Sequence, residues 1–260
     1  MNIDFTKIKE IILQTDSIIF DPELLNQVTV KGPADYVTLV DKNVQTYLQT
    51  ALSTLYPDID FMGEEKDNTN IDFTGDVWII DPIDGTTNLI QNCNFSAVSV
   101  GLWNGKKQKI ELGIIYQPFT KEFFHAIDGQ GAFLNGVPIR VSTKTELKNC
   151  IISAGSTPYH KEYADEVFKI TKNMYLNCSD IRQTGSAALD IAYVACGRLD
   201  GYFEKILSPW DYAAGHLILK EAGGHMTDYY GKAPTGTHIS SVCCSNSLVH
   251  EQMMDIIQNC

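Results

Sequence analysis

Basic residues, long apolar runs and paired cysteines are all scarce in this sequence of 260 residues. Its 20 lysines and arginines are outnumbered by 32 aspartates and glutamates, which gives a formal net charge of −12. Such a surface repels nucleic acids and anionic membranes, because both bind to basic patches. No apolar run approaches the roughly 20 residues that a membrane-spanning helix requires. We therefore expect binding to neither nucleic acid nor membrane.

Several motifs with known chemistry are also missing. The seven cysteines include no C-x-x-C pair, which argues against a disulfide framework or a zinc site and favours reduced thiols. Near the N-terminus, Asp4, Lys7 and Lys9 interrupt the segment in which a signal peptide would need a continuous apolar region. Both features predict a cytoplasmic protein. The G-x-S-x-G motif of serine hydrolases and the G-x-x-x-x-G-K-[ST] motif of nucleotide triphosphatases are absent as well.

The spacing of apolar residues predicts a mixed α and β fold. Apolar positions recur at helical spacing over residues 5–19 and 41–55. Residues 77–140 contain apolar or alternating runs separated by Asn-Gly pairs, which predict strands joined by hairpins. Later strands are predicted over 151–153 and 201–206 and around Cys243 and Cys244, and helices over 186–196 and 212–222. We expect a single catalytic domain over residues 1–260, with approximate halves 1–142 and 143–260.

The strongest local signal is the segment 77–88, in which a hydrophobic strand leads into two aspartates. Because Pro82 has no N–H to donate, we expect the strand to end there and the chain to turn, which brings Asp84 beside Asp81. Two close carboxylates repel each other and need a cation or a proton, and oxygen ligands favour Mg²⁺ or Mn²⁺ over zinc. The Gly-Thr-Thr sequence that follows offers N–H groups and hydroxyls for a phosphate. A simple turn cap is the alternative interpretation.

Two further acidic sites lie at the ends of predicted elements. Glu64 and Glu65 follow a predicted strand that ends at Gly63, and Asp211 precedes the helix predicted over 212–222. Taken singly, they are explained by a solvated acidic loop and by a helix N-cap. Taken with the aspartate pair, the three clusters match what a site for several Mg²⁺ ions requires.

These segments, in this order, resemble the inositol monophosphatase family of lithium-sensitive, Mg²⁺-dependent phosphatases. The matching segments are 35–38 with Asp41, GEE at 63–65, DPIDGTTN at 81–88, GQGAFLNG at 129–136, GSAA at 185–188, WDYAAG at 210–215 and EAGG at 221–224. The resemblance implies a layered αβαβα fold, a homodimer, and a small phosphorylated polyol or sugar as substrate. It also implies hydrolysis by metal-activated water and inhibition by lithium.

The resemblance further implies metal ligands at particular positions. One Mg²⁺ would be held by Glu64, Asp81 and the Ile83 carbonyl. A second would be held by Asp81, Asp84 and Asp211, and Glu64 would help to hold a loosely bound third. Each subunit would therefore bind two to three Mg²⁺ ions, for which Mn²⁺ is a possible substitute.

Catalytic and substrate-binding groups are implied in the same way. Gly85 and Thr86 would hold the phosphate, and Thr86, paired with Asp41, would orient the attacking water, with Glu64 as a further catalytic residue. The polyol pocket would be lined by Asp84, Gly185, Ser186, Ala187 and Glu204. The loop at 31–34 is one residue shorter than in animal members, so the place of Lys31 relative to the third ion stays open.

Other functions are compatible with parts of this pattern. The D-x-D-G-T motif of haloacid-dehalogenase phosphatases needs its second aspartate two residues after the first, whereas Asp84 follows Asp81 by three. Within the family, Thr87 and Asn88 fit the inositol-phosphate branch, while a fructose-1,6-bisphosphatase or a 3′(2′),5′-bisphosphate nucleotidase remains open. A non-catalytic protein that binds Mg²⁺ and a phosphometabolite is the alternative from another class. The sequence therefore favours a phosphomonoesterase that converts inositol 1-phosphate to inositol and phosphate.

Overall fold

Helices and strands follow one another along the described part of the chain. The structure, a computed structural model, describes residues 3–25, 27–32 and 35–260. The helices are α1 (Phe5–Leu13), α2 (Asp16–Ile19), α3 (Pro22–Leu25), α4 (Leu39–Leu55), α5 (Thr86–Ile90), α6 (Ala164–Asn177), α7 (Ala187–Ala195), α8 (Pro209–Glu221) and α9 (His250–Gln258). The strands are β1 (Val28–Gly32), β2 (Asp35–Thr38), β3 (Asp60–Gly63), β4 (Val77–Asp84), β5 (Ala97–Asn104), β6 (Lys109–Gln117), β7 (Glu122–Ile127), β8 (Ala132–Leu134), β9 (Val137–Pro138), β10 (Ile151–Ala154), β11 (Asp180–Arg182), β12 (Gly201–Leu207), β13 (His225–Thr227) and β14 (Ser240–Ser245).

The strands form two large sheets and one short hairpin. Seven strands, in the order β3-β4-β5-β6-β7-β8-β9, form the first sheet, in which only β3 and β4 are parallel. Five strands, in the order β11-β10-β12-β14-β13, form the second, which mixes parallel and antiparallel pairs. Strands β1 and β2 pair only with each other among the described residues. The region 77–140, predicted to contain strands joined by hairpins, provides six of the seven strands of the larger sheet, and β3 is the seventh.

Alternate residues of β4 and β12 show how the layers stack, because successive side chains of a strand point to opposite faces. On β4, Trp78 belongs to a buried apolar cluster with residues of α1, α2 and α4, whereas Ile79 belongs to another with residues of α7 and α8. On β12, Tyr202 belongs to the cluster that contains α7 and α8, whereas Phe203 belongs to a third with residues of α6 and α9. Helices α7 and α8 therefore lie between the two sheets, and the layer order is α, β, α, β, α. This confirms the predicted fold class.

Several elements differ from the sequence-based prediction. The first helical segment is divided into α1 and α2, and α8 begins at Pro209 rather than at residue 212. The larger difference concerns Pro82, since β4 continues past it to Asp84. Among the described residues, no helix has both the length and the apolar character needed to cross a membrane.

Candidate functional site

A β-bulge at the end of β4 places the two aspartates of the DPID segment. Asp81 pairs with Ser99 of β5 but Asp84 pairs with Ala97, so three steps along β4 correspond to two along β5. Pro82 falls inside this irregular step, where its missing N–H disrupts no regular ladder bond. The prediction that the strand ends at Pro82 is wrong, because a bulge absorbs the proline without ending the pairing. Both carboxylates are almost fully buried.

Asp211 reaches the same place from the start of α8. Ser208 is the N-cap, and its N–H donates to Asp211 Oδ2 at 2.7 Å in a capping box. Asp211 is thus the third residue of the helix and not its N-cap. One carboxylate oxygen from each of Asp81, Asp84 and Asp211 lies within 4.8 Å of the other two. The structure therefore brings together three of the predicted metal ligands.

Burial and repulsion make this group poorly able to carry three negative charges. Burial is the main cause that raises the pKa of Asp81 well above its usual value, followed by the charges of Glu64, Asp84 and Asp211. The pKa of Asp211 is raised in the same way, first by burial and then by Asp84 and Glu64. Burial also raises the pKa of Asp84 to about 6. A divalent cation would offset both the cost of burying these carboxylates and the repulsion between them. Carboxylate oxygens are ligands that suit Mg²⁺. The residues present therefore fit a Mg²⁺ site.

Thr86 and Asp41 form a second buried unit beside the aspartates. The Thr86 hydroxyl donates to Asp41 Oδ1 at 2.7 Å and also lies 3.1 Å from the Ile83 carbonyl oxygen. Asp41 Oδ2 accepts from the N–H of Thr38 at 2.8 Å and from the Thr38 hydroxyl, in the capping box of α4. Burial is the main cause that raises the pKa of Asp41. Since a hydroxyl has one proton and two lone pairs, Thr86 can donate to Asp41 and still accept from a water molecule.

Gly85 makes the turn between β4 and α5. Its φ is +92°, and an added Cβ would lie only 3.0 Å from the Phe95 carbonyl oxygen and 3.1 Å from that of Gly185. Only glycine fits both the left-handed backbone and this close approach. The Ser96 hydroxyl donates to the Gly85 carbonyl at 2.8 Å and fixes the turn from the other side. The predicted phosphate-binding segment is therefore a rigid turn next to Thr86.

Residues at the start of α7 donate hydrogen bonds to Asp84. The Ser186 hydroxyl and the Ala188 N–H donate to Asp84 Oδ2 at 2.6 Å and 2.7 Å. Gly185, with φ of +83°, turns the chain into this helix, and Ala187 is its first residue. Anionic groups are stabilised at helix N-termini, so α7 favours the charged form of Asp84 and partly offsets its burial.

Glu204 on β12 is a further predicted site residue, and its carboxylate is held by hydrogen bonds. Its Oε1 accepts from the Thr157 N–H at 2.8 Å, and its Oε2 accepts from the Tyr202 hydroxyl. Burial is the main cause that raises the pKa of Glu204, and the charge of Asp84 raises it further. An added Cβ at Gly155 would lie 2.2 Å from the Glu204 carboxyl, so the 155–157 loop fits closely around it.

Some participating residues were not predicted. Thr38 and Thr157 hold Asp41 and Glu204 by hydrogen bonds, Asn88 binds the carbonyls of Phe95 and Thr184, and Asp190 is a buried acid in α7. Thr38 and Asn88 lie in segments that carry the family resemblance, although no role was assigned to them, and Asp190 interrupts the otherwise apolar run AALDIAYVA. The side chain of Lys31 lies outside the described residues, as does the loop at 33–34.

Comparisons with known proteins show the family to which this chain belongs. The family model described as "Inositol monophosphatase family" matches residues 5–260. The chain is 42% identical over 202 residues to the Nus factor SuhB of Salmonella typhimurium, covering 77% of this chain and 74% of that protein. It is 36% identical over 237 residues to the inositol-1-monophosphatase of Rhizobium meliloti, covering 89% and 86%. The solved structure of a Thermotoga maritima IMPase superposes with a TM-score of 0.87 at 33% identity, covering 98% and 96%. The chain belongs to the inositol monophosphatase family.

Proposed function

We propose that this protein is a Mg²⁺-dependent phosphomonoesterase that hydrolyses inositol monophosphate to inositol and phosphate. The observation that carries the proposal is the convergence of Asp81, Asp84 and Asp211 within 4.8 Å, next to the hydrogen-bonded Thr86–Asp41 pair. A purely structural role would not explain why two buried acids and a half-buried third, which repel one another, are gathered in one place. The name of the Rhizobium meliloti relative supports inositol 1-phosphate as the substrate.

Each acidic residue has a stated part in this proposal. Asp81, Asp84 and Asp211 would hold one Mg²⁺, and Glu64 with Asp81 and the Ile83 carbonyl would hold another. Bound Mg²⁺ supplies positive charge that offsets the phosphate dianion and lowers the pKa of water towards neutrality. Two to three ions per subunit, with Mn²⁺ as a substitute, are part of the proposal.

Thr86 and Asp41 would direct the attacking water. The Thr86 hydroxyl donates to Asp41, so its lone pairs stay available as acceptors, and a water that donates to them would have its own oxygen lone pair free for phosphorus. Asp41 is held by Thr38, which keeps the acceptor in one orientation. The turn at Gly85 would bind the phosphate through N–H groups at the start of α5.

Glu204 would recognise the alcohol part of the substrate. Both of its oxygens already accept one hydrogen bond from the protein, so the carboxylate is fixed and its remaining lone pairs are available to polyol hydroxyls. Asp84, Gly185, Ser186 and Ala187 would complete the pocket wall. We further propose a homodimer that is inhibited by lithium, as the family resemblance implies. We also propose that the protein is cytoplasmic and, because of its net charge of −12, does not bind nucleic acid.

A substrate panel tests the proposal. Inositol 1-phosphate, fructose 1,6-bisphosphate and adenosine 3′,5′-bisphosphate are each assayed for phosphate release with Mg²⁺ and with EDTA. We expect the highest kcat/KM for inositol 1-phosphate, loss of activity in EDTA and recovery with Mg²⁺. Preference for either bisphosphate would replace the proposed substrate by the corresponding alternative. Tight Mg²⁺ and phosphate-ester binding without turnover would instead indicate the non-catalytic binding protein.

The variant Glu204→Gln separates the pocket from the catalytic centre. Because a hydrogen bond to a charged group contributes about 1.5–3 kcal/mol, kcat/KM for inositol 1-phosphate should fall by about ten- to a hundred-fold. Hydrolysis of p-nitrophenyl phosphate, which has no polyol, should hardly change, and the Mg²⁺ activation curve should stay in place. Equal losses on both substrates would mean that Glu204 serves the metal site.

A further inference from the structure

Asp190 is a buried acid in α7 that has no part in the mechanism proposed above. Its relative exposure is 2%. Its Oδ2 lies 2.7 Å from the Thr184 hydroxyl, with which it forms a hydrogen bond, whereas Oδ1 has no hydrogen-bond partner among the described residues. Buried polar atoms are rarely left without a partner, and each exception calls for a reason.

Thr184 connects Asp190 to the phosphate side of the site by hydrogen bonds. Its carbonyl accepts from Asn88 Nδ2 at 2.8 Å, and the same Nδ2 donates to the Phe95 carbonyl at 2.8 Å. Asn88 belongs to α5, the helix that begins just after Gly85. Thr184 is therefore held through its main chain by the phosphate-binding element and through its side chain by α7.

The two residues after Thr184 form part of the proposed polyol pocket. Gly185 turns with φ of +83°, and a Cβ there would lie 3.2 Å from Asn88 Nδ2, so the chain passes directly over that amide. Ser186 then donates to Asp84 at 2.6 Å. Residues 184–186, which we name the 184–186 turn, thus connect three parts of the site over a very short stretch of chain.

The environment of Asp190 favours a neutral carboxyl. Burial is the main cause that raises the pKa of Asp190 to about 8, against the hydroxyls of Thr184 and Ser153, which lower it, and the charges of Asp84 and Glu204 raise it further. A protonated carboxyl can hold the Thr184 hydroxyl without adding a further negative charge behind the site. An asparagine has nearly the same shape and can make the same bond.

We propose that Asp190 is a positioning residue that, through Thr184, fixes the 184–186 turn and thereby sets the spacing between the phosphate-binding and polyol-binding walls. The inference rests on the proposed function, because it assigns the polyol wall to this turn. Its consequence is selective. Loosening the turn should weaken the binding of a substrate that spans both walls and should spare one that uses only the phosphate side.

The test uses the full chain with four changes: Asp190→Ala, Asp190→Asn, Thr184→Val, and the double variant Asp190→Ala/Thr184→Val. KM and kcat are measured for inositol 1-phosphate and for p-nitrophenyl phosphate. In Asp190→Ala and in Thr184→Val, we expect KM for inositol 1-phosphate to rise about two- to ten-fold, the range of one neutral hydrogen bond. We expect kcat and the p-nitrophenyl phosphate kinetics to change less than about two-fold. Asp190→Asn should resemble the wild type, and the double variant should be no worse than either single one.

Several results would overturn the inference. These are an unchanged KM in Asp190→Ala, a loss in Asp190→Asn as large as in Asp190→Ala, equal losses on both substrates, or additive losses in the double variant. If Asp190→Ala does not fold, Asp190→Asn and Thr184→Val, checked by thermal unfolding, still decide the outcome.

Failure of the proposed function would look different. Mn²⁺ binding, followed by electron paramagnetic resonance, should be the same in the wild type and in all four variants. If the wild type binds no Mn²⁺ or prefers another substrate of the panel, the proposed function fails. The KM comparison is then made for the preferred phosphate ester, or as a Kd for inositol 1-phosphate when there is no turnover. An unchanged value would still overturn the role of Asp190.

Discussion

The charge of Asp84 should destabilise the metal-free protein, and Asp84→Asn measures by how much. Burial raises its pKa from 3.8 to about 6. Between these values the unfolded chain has lost the proton that the folded protein retains, so the free energy of unfolding falls as pH rises through this window. Asparagine keeps the shape and an oxygen that accepts from Ser186 and Ala188, but it has no charge to desolvate. We therefore expect the variant to be more stable than the wild type above about pH 6 when no metal is bound.

The size of this effect follows from the pKa shift. The difference between 3.8 and about 6 corresponds to about 3 kcal/mol, because a pKa difference of one corresponds to about 1.4 kcal/mol. For a chain of this length, each 1 kcal/mol moves the melting temperature by about 2–4 °C. A rise of several degrees in EDTA at pH 7.5 is therefore expected, and almost none at pH 4.

Calorimetry in EDTA and in saturating Mg²⁺ provides the assay. Mg²⁺ stabilises the protein that binds it more tightly, so the order of melting temperatures should reverse when Mg²⁺ is added. Activity should fall by at least about 10²-fold, since transition-state charge stabilisation worth several kcal/mol is lost. Asp58→Asn, at an exposed position, is the matched control and should change neither property. A variant that is less stable than the wild type in EDTA at pH 7.5 would refute the reasoning.

Three further changes test other groups. Thr86→Val should lower kcat at least about ten-fold with unchanged Mn²⁺ affinity, because it removes one hydrogen bond that orients the attacking water, and Thr86→Ser should keep most of the rate. Asp190→Asn should raise the free energy of unfolding by an amount that grows from about pH 4 to pH 8. Burial raises the pKa of Asp190 to about 8, so in this range the unfolded chain releases a proton that the folded wild type retains. Urea unfolding at pH 4 and pH 8 measures the difference. Burial lowers the pKa of His250 to about 4, so the wild type should lose stability as pH falls from about 6.5 to 4, and His250→Gln should lose less.

Local chemistry made parts of the fold predictable from the sequence. Asn135 and Gly136 form the predicted turn between β8 and β9, with φ of +51° and +81°, because both residues tolerate the left-handed region. Cys243 and Cys244 are buried in β14, as the apolar run around them indicated. In each case the residues that decide the structure are neighbours in the chain.

Contacts between distant residues were beyond such reasoning. Thr86 and Asp41 are 45 positions apart, and Ser186 and Asp84 are 102 apart, so spacing alone could not pair them, and only the family resemblance suggested that they meet. The bulge at Pro82 was missed for a related reason. Whether a proline ends a strand depends on the neighbouring strand, which the local sequence does not show.

The layer between the two sheets explains how the fold tolerates an acidic cluster in its interior. Helix α8 presses against β6 so closely that a Cβ on Gly113 would lie 2.5 Å from the Ala214 carbonyl oxygen, and Gly215 leaves similar room for Ile191 of α7. Close packing of this kind fixes where each helix lies. Helix α8 begins at the site and provides Asp211, while α7 begins there and donates to Asp84. Apolar burial along both helices therefore offsets the unfavourable free energy of holding the acidic residues together at the helix ends. A cation that binds there removes this repulsion, which strengthens its binding.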